Sequence, residues 1–238
     1  LGEEAAAHRK QWEYVYLLQA LWERGCIGAD QRGLVFACGT EPLPALLASY
    51  GCEILATDIF PEEGIAKGWD NGDQLCFGLD SLNKRGLCDE MVFRDRVSYR
   101  PVDMNAIPAD LHDFDFNWSS CSFEHLGNIE KGLTFLEKQL STLKPGGWAV
   151  HTTEYNISSN DSTQDNNDTV IFRQRDIDTI VNKLRAAGHF VEELDYSLGG
   201  MAEDFMVDVE PHEQKVHLKL QIGEYVATSI GLIIRKKN

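Results

Sequence analysis

No apolar run in this 238-residue chain approaches the roughly 18 residues that a membrane-spanning helix needs. No C-x-x-C pair occurs among the six cysteines, Cys26, Cys38, Cys52, Cys76, Cys88 and Cys121. That absence argues against the close thiolate pairs of zinc sites and, at this length, against a disulfide framework. Reduced, buried thiols in a cytoplasmic protein are the expectation. Positive charge is scarce: 22 Lys and Arg stand against 38 Asp and Glu, a formal net charge of −16. An anionic body of that size repels phosphate backbones and anionic lipid headgroups. The one basic run, Arg235-Lys236-Lys237, reads as a solvated tail, so neither nucleic acid nor a membrane is an expected partner. Leu1-Gly2-Glu3-Glu4 lacks the positive flank and apolar run of a secretory signal, which leaves a missing upstream segment open. No internal repeat is visible, and nothing signals the oligomeric state.

What is present is ordinary for a globular protein, with 43% hydrophobic and 25% charged residues. The length suits one sizeable core and a single domain over 1–238. Short apolar runs alternate with helical patterns, the mark of a parallel sheet covered by helices. A helix is expected over 5–24, with Trp12, Val15, Tyr16, Ala20 and Leu21 at helical spacing. Strands are expected at 33–38, 53–57, 97–102, 114–118 and 148–153, with helices over 44–49, 129–143 and 175–187. Gly188 stops the last helix, and Lys144-Pro145-Gly146-Gly147 stops the one before it. Phe190 to Leu194 and Ala227 to Arg235 read as a final pair of strands, antiparallel because no convincing helix separates them. Residues 60–96 read as a polar, Gly-rich insertion. Residues 158–168 read as a mobile polar loop near the carboxyl edge of the sheet.

The segment from Leu34 to Asp58 is the most informative. A buried strand enters a tight turn at Gly39, a helix opens near Pro42 and Pro44, and Asp58 ends the next strand nineteen residues after Gly39. Unpaired N–H groups at the helix start and a glycine without Cβ suit close approach of a ligand. A carboxylate at Asp58 suits ribose hydroxyls. Taken singly, Gly39 is a turn glycine and Asp58 a surface acid; in this order they point to nucleoside binding. The third glycine of a dinucleotide fingerprint is missing and Glu41 would oppose a pyrophosphate, so a cofactor with ribose but no phosphate fits better.

The segment resembles motif I of class I S-adenosylmethionine-dependent methyltransferases. Ala37, Gly39 and Glu41 stand at the three glycine positions of that motif, and Val35 replaces its usual acid. Either Glu41 or a backbone carbonyl would then meet the methionine ammonium. Val102-Asp103-Met104-Asn105 resembles the end of the family's third strand. Phe114 to His125, ending in the Glu124-His125 pair, resembles its fourth strand, and Leu143-Lys144-Pro145-Gly146-Gly147-Trp148 the turn before its fifth. The resemblance covers residues 34–153. It implies a Rossmann-like, seven-stranded, mostly parallel sheet with an antiparallel last strand and helices on both faces. It implies S-adenosylmethionine as cofactor, with S-adenosylhomocysteine as product. The implied donor-binding residues are Ala37, Cys38, Gly39, Thr40, Glu41, Pro42, Asp58, Ile59, Asp103, Met104, Asn105, Ser119 and Ser120.

Transfer of a methyl group from a sulfonium needs alignment above all, and a hydroxyl acceptor also needs a base or a metal. Candidates at the carboxyl ends of strands are His125, His151 and Glu154. Each has a plainer role available: His125 in structural hydrogen bonding, His151 as a satisfied core group. A metal held by His151, Glu154 and one further ligand is the alternative. His212 and His217 either reach the cleft or lie exposed. Trp12, Tyr14 and Trp69 either cover the donor or pack the core, and residues 1–30 are read as a helical lid. Ser119-Ser120-Cys121-Ser122-Phe123 lacks the prolines of nucleobase amino-methylating enzymes. The polar segments 155–168 and 197–226 suit a hydroxyl-rich acceptor. Glu41-Pro42-Leu43-Pro44 and His151-Thr152-Thr153-Glu154-Tyr155-Asn156 are similar to methyltransferases of bacterial surface-sugar clusters. The expected activity is sugar O-methylation in polysaccharide biosynthesis. A methyltransferase of another small molecule and an inactive binding protein remain the alternatives.

Overall fold

The structure, a computed structural model, describes residues 3–69, 74–166 and 169–238. Residues 1 and 2 of the expected lid, 70–73 of the expected insertion and 167–168 of the expected polar loop lie outside the described residues.

The described residues form eight strands: β1 (Arg32–Val35), β2 (Glu53–Asp58), β3 (Val97–Pro101), β4 (Phe114–Ser120), β5 (Leu143–Asn156), β6 (Phe190–Val191), β7 (Lys219–Ile222) and β8 (Tyr225–Arg235). Six α-helices accompany them: α1 (Arg9–Glu23), α2 (Leu43–Ser49), α3 (Pro61–Ala66), α4 (Glu90–Arg96), α5 (Ile129–Lys138) and α6 (Gln174–Ala186). The sheet order is β3-β2-β1-β4-β5-β8-β6, and β7 pairs with the end of β8 opposite the one that β6 occupies. Strands β1 to β5 are parallel, and β8 runs antiparallel to β5, β6 and β7. The expected seven-stranded arrangement is therefore present, and β7 is an addition that the polar 197–226 segment concealed. The insertion at 60–96 contains α3 and α4 rather than loop alone.

Helices cover both faces. Phe135 and Leu136 of α5, with Ile177, Ile180, Val181 and Leu184 of α6, pack against Leu34, Ala149, Leu232 and Ile234. On the opposite face Leu17 and Leu21 of α1, Leu43 and Leu47 of α2 and Phe93 of α4 meet Val35, Phe116, Trp118 and Val150. Alternation along β5 thus sends Ala149 to one helical layer and Val150 to the other. The six cysteines are buried and unpaired. No helix among the described residues is long and apolar enough to cross a membrane.

Helix α1 departs from the sequence reading in which face it buries. Glu13, Leu17, Ala20 and Leu21 point inward, whereas Trp12 and Val15 are 41% and 53% exposed. Trp12 stacks on Tyr16 at 5.1 Å. Glycine permits the close seat of the helix: a Cβ on Gly231 of β8 would overlap the Tyr16 ring. The polar loop after β5 is tied down. Asn156 Oδ1 accepts from the Ser158 and Ser159 amides, each at 3.0 Å, and Asn156 Nδ2 donates to Thr163 Oγ1 at 3.0 Å.

Candidate functional site

Strand order reverses direction at β1, whose neighbours are β2 and β4. In open parallel sheets the crevice outside the carboxyl ends at such a point is where ligands bind. A cleft of about 360 Å³ lies there.

The turn after β1 builds one wall. Ala37 and Gly39 both have left-handed backbones, with φ of 51° and 48°. The middle glycine is required: a Cβ there would stand 2.8 Å from the Gln74 carbonyl oxygen. Asp58, at the end of β2, braces the turn. Its Oδ2 accepts from the Gly39 and Cys76 amides, both at 3.0 Å, and its Oδ1 from the Ile59 amide at 2.8 Å. Burial pushes the Asp58 carboxyl up to about 6, against the pull of those three amides. Among the described residues three of its roughly four acceptor positions are used, which leaves one on Oδ1 for a hydroxyl where the sequence reading gave it a pair.

Glu41 is 5% exposed and accepts from Trp118 Nε1 at 2.7 Å. Burial raises its carboxyl to about 8 despite that bond. After β3, Asp103 caps a short 3₁₀ turn by accepting from the Asn105 amide at 2.8 Å, and buried Met104 forms apolar floor.

The far wall comes from α1 and the segment after β4. Glu13 has no exposed surface. Burial alone would raise its carboxyl, but Lys10 at 3.0 Å and Arg9 at 3.5 Å hold it at about 2. Ser120 Oγ and Ser229 Oγ donate to it at 3.2 and 2.5 Å. This carboxylate fastens α1 across β4 and β8 and places Arg9, Lys10 and Tyr14 in the cleft wall. Trp69 faces His125 edge-on at 5.9 Å, with the Lys67 ammonium 4.8 Å from the Trp69 ring centre.

Of the residues expected to bind the donor, Ala37, Cys38, Gly39, Thr40, Glu41, Asp58, Ile59, Asp103, Met104, Asn105 and Ser120 line the cleft. Two do not. Pro42 is the N-cap of α2 and faces a smaller neighbouring pocket. Ser119 is fully buried, 2.8 Å from His151 Nδ1.

Of the three base candidates, His125 lines the cleft, its Nδ1 2.9 Å from Thr169 Oγ1. His151 does not. Strand alternation turns it into the apolar layer under α5, 5.5 Å from the Phe135 ring, and burial lowers it to about 3. Glu154 faces α1 and is held by Arg9 at 3.0 Å, so it too stays behind the wall. Among the described residues no three His, Cys, Asp or Glu side chains converge as metal ligands. Trp12 lies outside the cleft; Tyr14 and Trp69 are in it. His212 and His217 belong to a separate group, in which His217 meets Asp208 at 2.6 Å and stacks on His8 at 4.6 Å.

Sequence reasoning missed Arg9, Lys10, Ser122 and Glu124. The signal for the first two was the Arg9–Glu13 spacing of one helical turn.

No family model matches the chain, and no curated protein does. Solved structures do match in fold. The cyclase SpnF aligns with a TM-score of 0.59 at 17% identity, over 94% of this chain and 80% of its own. The N-methyltransferase NodS of Bradyrhizobium japonicum, solved with S-adenosyl-L-homocysteine, aligns with a TM-score of 0.52 at 13% identity, over 96% and 87%. Magnesium protoporphyrin IX methyltransferase of Synechocystis gives 0.52 at 12% identity, over 96% and 83%. A cyclase and two methyltransferases share this architecture, so the likeness establishes the fold and leaves the chemistry to the site.

Proposed function

We propose that this chain is an S-adenosylmethionine-dependent methyltransferase acting on a hydroxyl of a sugar or glycan. One observation carries the donor half of the reading. A single cleft gathers the Gly39 turn, Asp58, Glu41 and Asp103-Met104-Asn105 at the carboxyl ends of β1, β2 and β3. The chemistry of this set fits the donor. Among the described residues Glu41 is a buried carboxyl hydrogen-bonded by Trp118, with Lys10 acting on it through charge alone, and it suits an ammonium. The open lone pair of Asp58 suits one ribose hydroxyl, and Met104 suits the face of an adenine. When bound, the donor supplies a methyl group on a positively charged sulfur. The chain's own residues position both reactants and exclude water, which is most of what such a transfer requires.

Support for a sugar comes from the opposite wall. Trp69 presents a half-buried flat ring, against which the C–H face of a sugar can lie. Arg9, Ser122 and Glu124 offer directed hydrogen bonds beside it. The −16 net charge disfavours nucleic-acid acceptors. We place the enzyme in the cytoplasm, in the synthesis of surface polysaccharide, with α1 and residues 155–166 on the acceptor side.

Calorimetry with S-adenosylmethionine and S-adenosylhomocysteine tests the donor half, and absence of binding by both would end this reading. Asp58→Ala should weaken donor binding by at least tenfold. Mass spectrometry of free monosaccharides and nucleotide sugars, incubated with enzyme and donor, should show a gain of one methyl group. Because the fold also serves a cyclase, donor binding with no methylated product from sugars, amines or carboxylic acids would favour the reading without methyl transfer.

A further inference from the structure

Glu124 lies in the 3₁₀ turn Phe123–His125 that follows β4. It has no exposed surface by overall burial, yet it forms part of the cleft wall. Its Oε2 accepts from Thr153 Oγ1 at 3.0 Å. Its Oε1 has no hydrogen-bond partner among the described residues, and neither have Ser122 Oγ and Arg9 Nε on the same wall. Folded chains rarely leave buried polar atoms unpaired, and three in one wall mark a place that something else completes. A hydroxyl of an acceptor can complete it.

Resting on the methyltransferase reading above, we propose that Glu124 is the general base of the transfer, accepting the acceptor's hydroxyl proton on Oε1. The acceptor oxygen forms a bond to the methyl carbon as the carbon–sulfur bond breaks, and that electron pair goes to sulfur. The hydroxyl proton passes to Glu124, which later releases it to solvent. The products are a methyl ether and S-adenosylhomocysteine. Thr153 holds the carboxyl in place, and Ser122 and Arg9 flank the hydroxyl.

The other candidates are engaged elsewhere. His151 is sealed under α5, Glu154 is held by Arg9 behind the wall, and His125 Nδ1 meets Thr169. Groups facing Glu124 are His125 on its own turn, Glu154 on β5, Arg9 and Lys10 on α1, and Cys121 after β4. Burial raises the Glu124 carboxyl above its ordinary range, against the pull of His125 and with the push of Glu154. A raised carboxyl is a better match to a proton acceptor working near neutral pH.

The test does not need the acceptor's identity. S-adenosylmethionine and S-adenosylhomocysteine differ in one sulfonium charge, so the ratio of their affinities isolates that charge from the rest of the site. If Glu124 faces the reacting centre, the sulfonium favours its ionised form. The preference for S-adenosylmethionine should then rise with pH as Glu124 ionises, by about tenfold in all, as for unit charges ~10 Å apart at an effective dielectric of ~20. Glu124→Gln, which keeps an oxygen for Thr153, should fold with an unchanged melting temperature and show a smaller rise, the remainder coming from Glu41 and Asp58. Turnover of any sugar methylated in the screen above should fall about 10²- to 10⁴-fold in that variant. A flat ratio in the wild type, or a rise as large in Glu124→Gln as in the wild type, would overturn the assignment. So would loss of the rise in His125→Gln alone. Failure of both compounds to bind would instead overturn the methyltransferase reading.

Discussion

Glu41 shows how much a single residue at the glycine turn can govern. Its native carboxyl titrates at about 8 because burial outweighs the bond from Trp118, whereas an unfolded glutamate titrates near 4.5. Between those values the native chain holds a proton that the unfolded chain has released. Its contribution is therefore present below the unfolded value and is lost as pH rises through 8. Glu41→Gln removes that loss while keeping an oxygen for Trp118. Denaturant unfolding should find the variant about as stable as the wild type at pH 4 and about 4 kcal/mol more stable above pH 8.5; equal stability there would refute the buried-acid account. Gly39 governs the same turn by shape. Gly39→Ala places a methyl against the Gln74 carbonyl in a left-handed backbone. It should cost about 2 kcal/mol and weaken donor binding, measured by melting temperature and calorimetry.

At the scale of elements, α1 is held by charge as much as by apolar contact. Glu13 joins Arg9 and Lys10 to Ser120 and Ser229. Removing it would leave two cations against a buried wall. Glu13→Ala should destabilise the fold by about 3 kcal/mol and speed amide exchange within 9–23; unaltered exchange in α1 would show that Leu17 and Leu21 suffice. This helix also shows where the sequence stops being legible. Its extent was readable from apolar spacing, but its orientation was not, because Trp12 and Val15 compete with Leu17 and Leu21 for the inward stripe. Only tertiary partners, the serines and the glycine of β4 and β8, decide in favour of Glu13. Strand β5 gives a parallel case. The run Trp148 to Thr153 announces a strand, and period-2 alternation then sends His151 into the core and Glu154 toward α1. The glycine turn, Asp58 and the Asp103 segment were legible because backbone geometry dictates their residue types locally. The acceptor wall was not, since it joins residues 9, 69 and 124 from distant parts of the chain.

For the molecule as a whole, two electrostatic effects act on a cationic donor, and they differ in range. The −16 net charge attracts any cation toward the surface, but that field fades beyond about 8 Å at physiological salt. Within the cleft, Glu41 near 8 and Asp58 near 6 are carboxyls that burial keeps partly neutral. A bound cation favours their ionised forms, so binding should expel protons and strengthen as pH rises. Ligand at 100 times its dissociation constant stabilises a protein by about 2.7 kcal/mol, or roughly 5–10 °C for a chain of this size. The shift in melting temperature caused by a fixed concentration of S-adenosylmethionine should accordingly be larger at pH 7.5 than at pH 5.5. Raising salt from 0.15 to 0.5 M should lower both shifts and leave the difference between them, because screening reaches the surface field and not the buried acids. In Glu41→Gln that difference should shrink. A pH difference that vanished at high salt would assign donor attraction to the molecule's overall charge and remove Glu41 from the binding account.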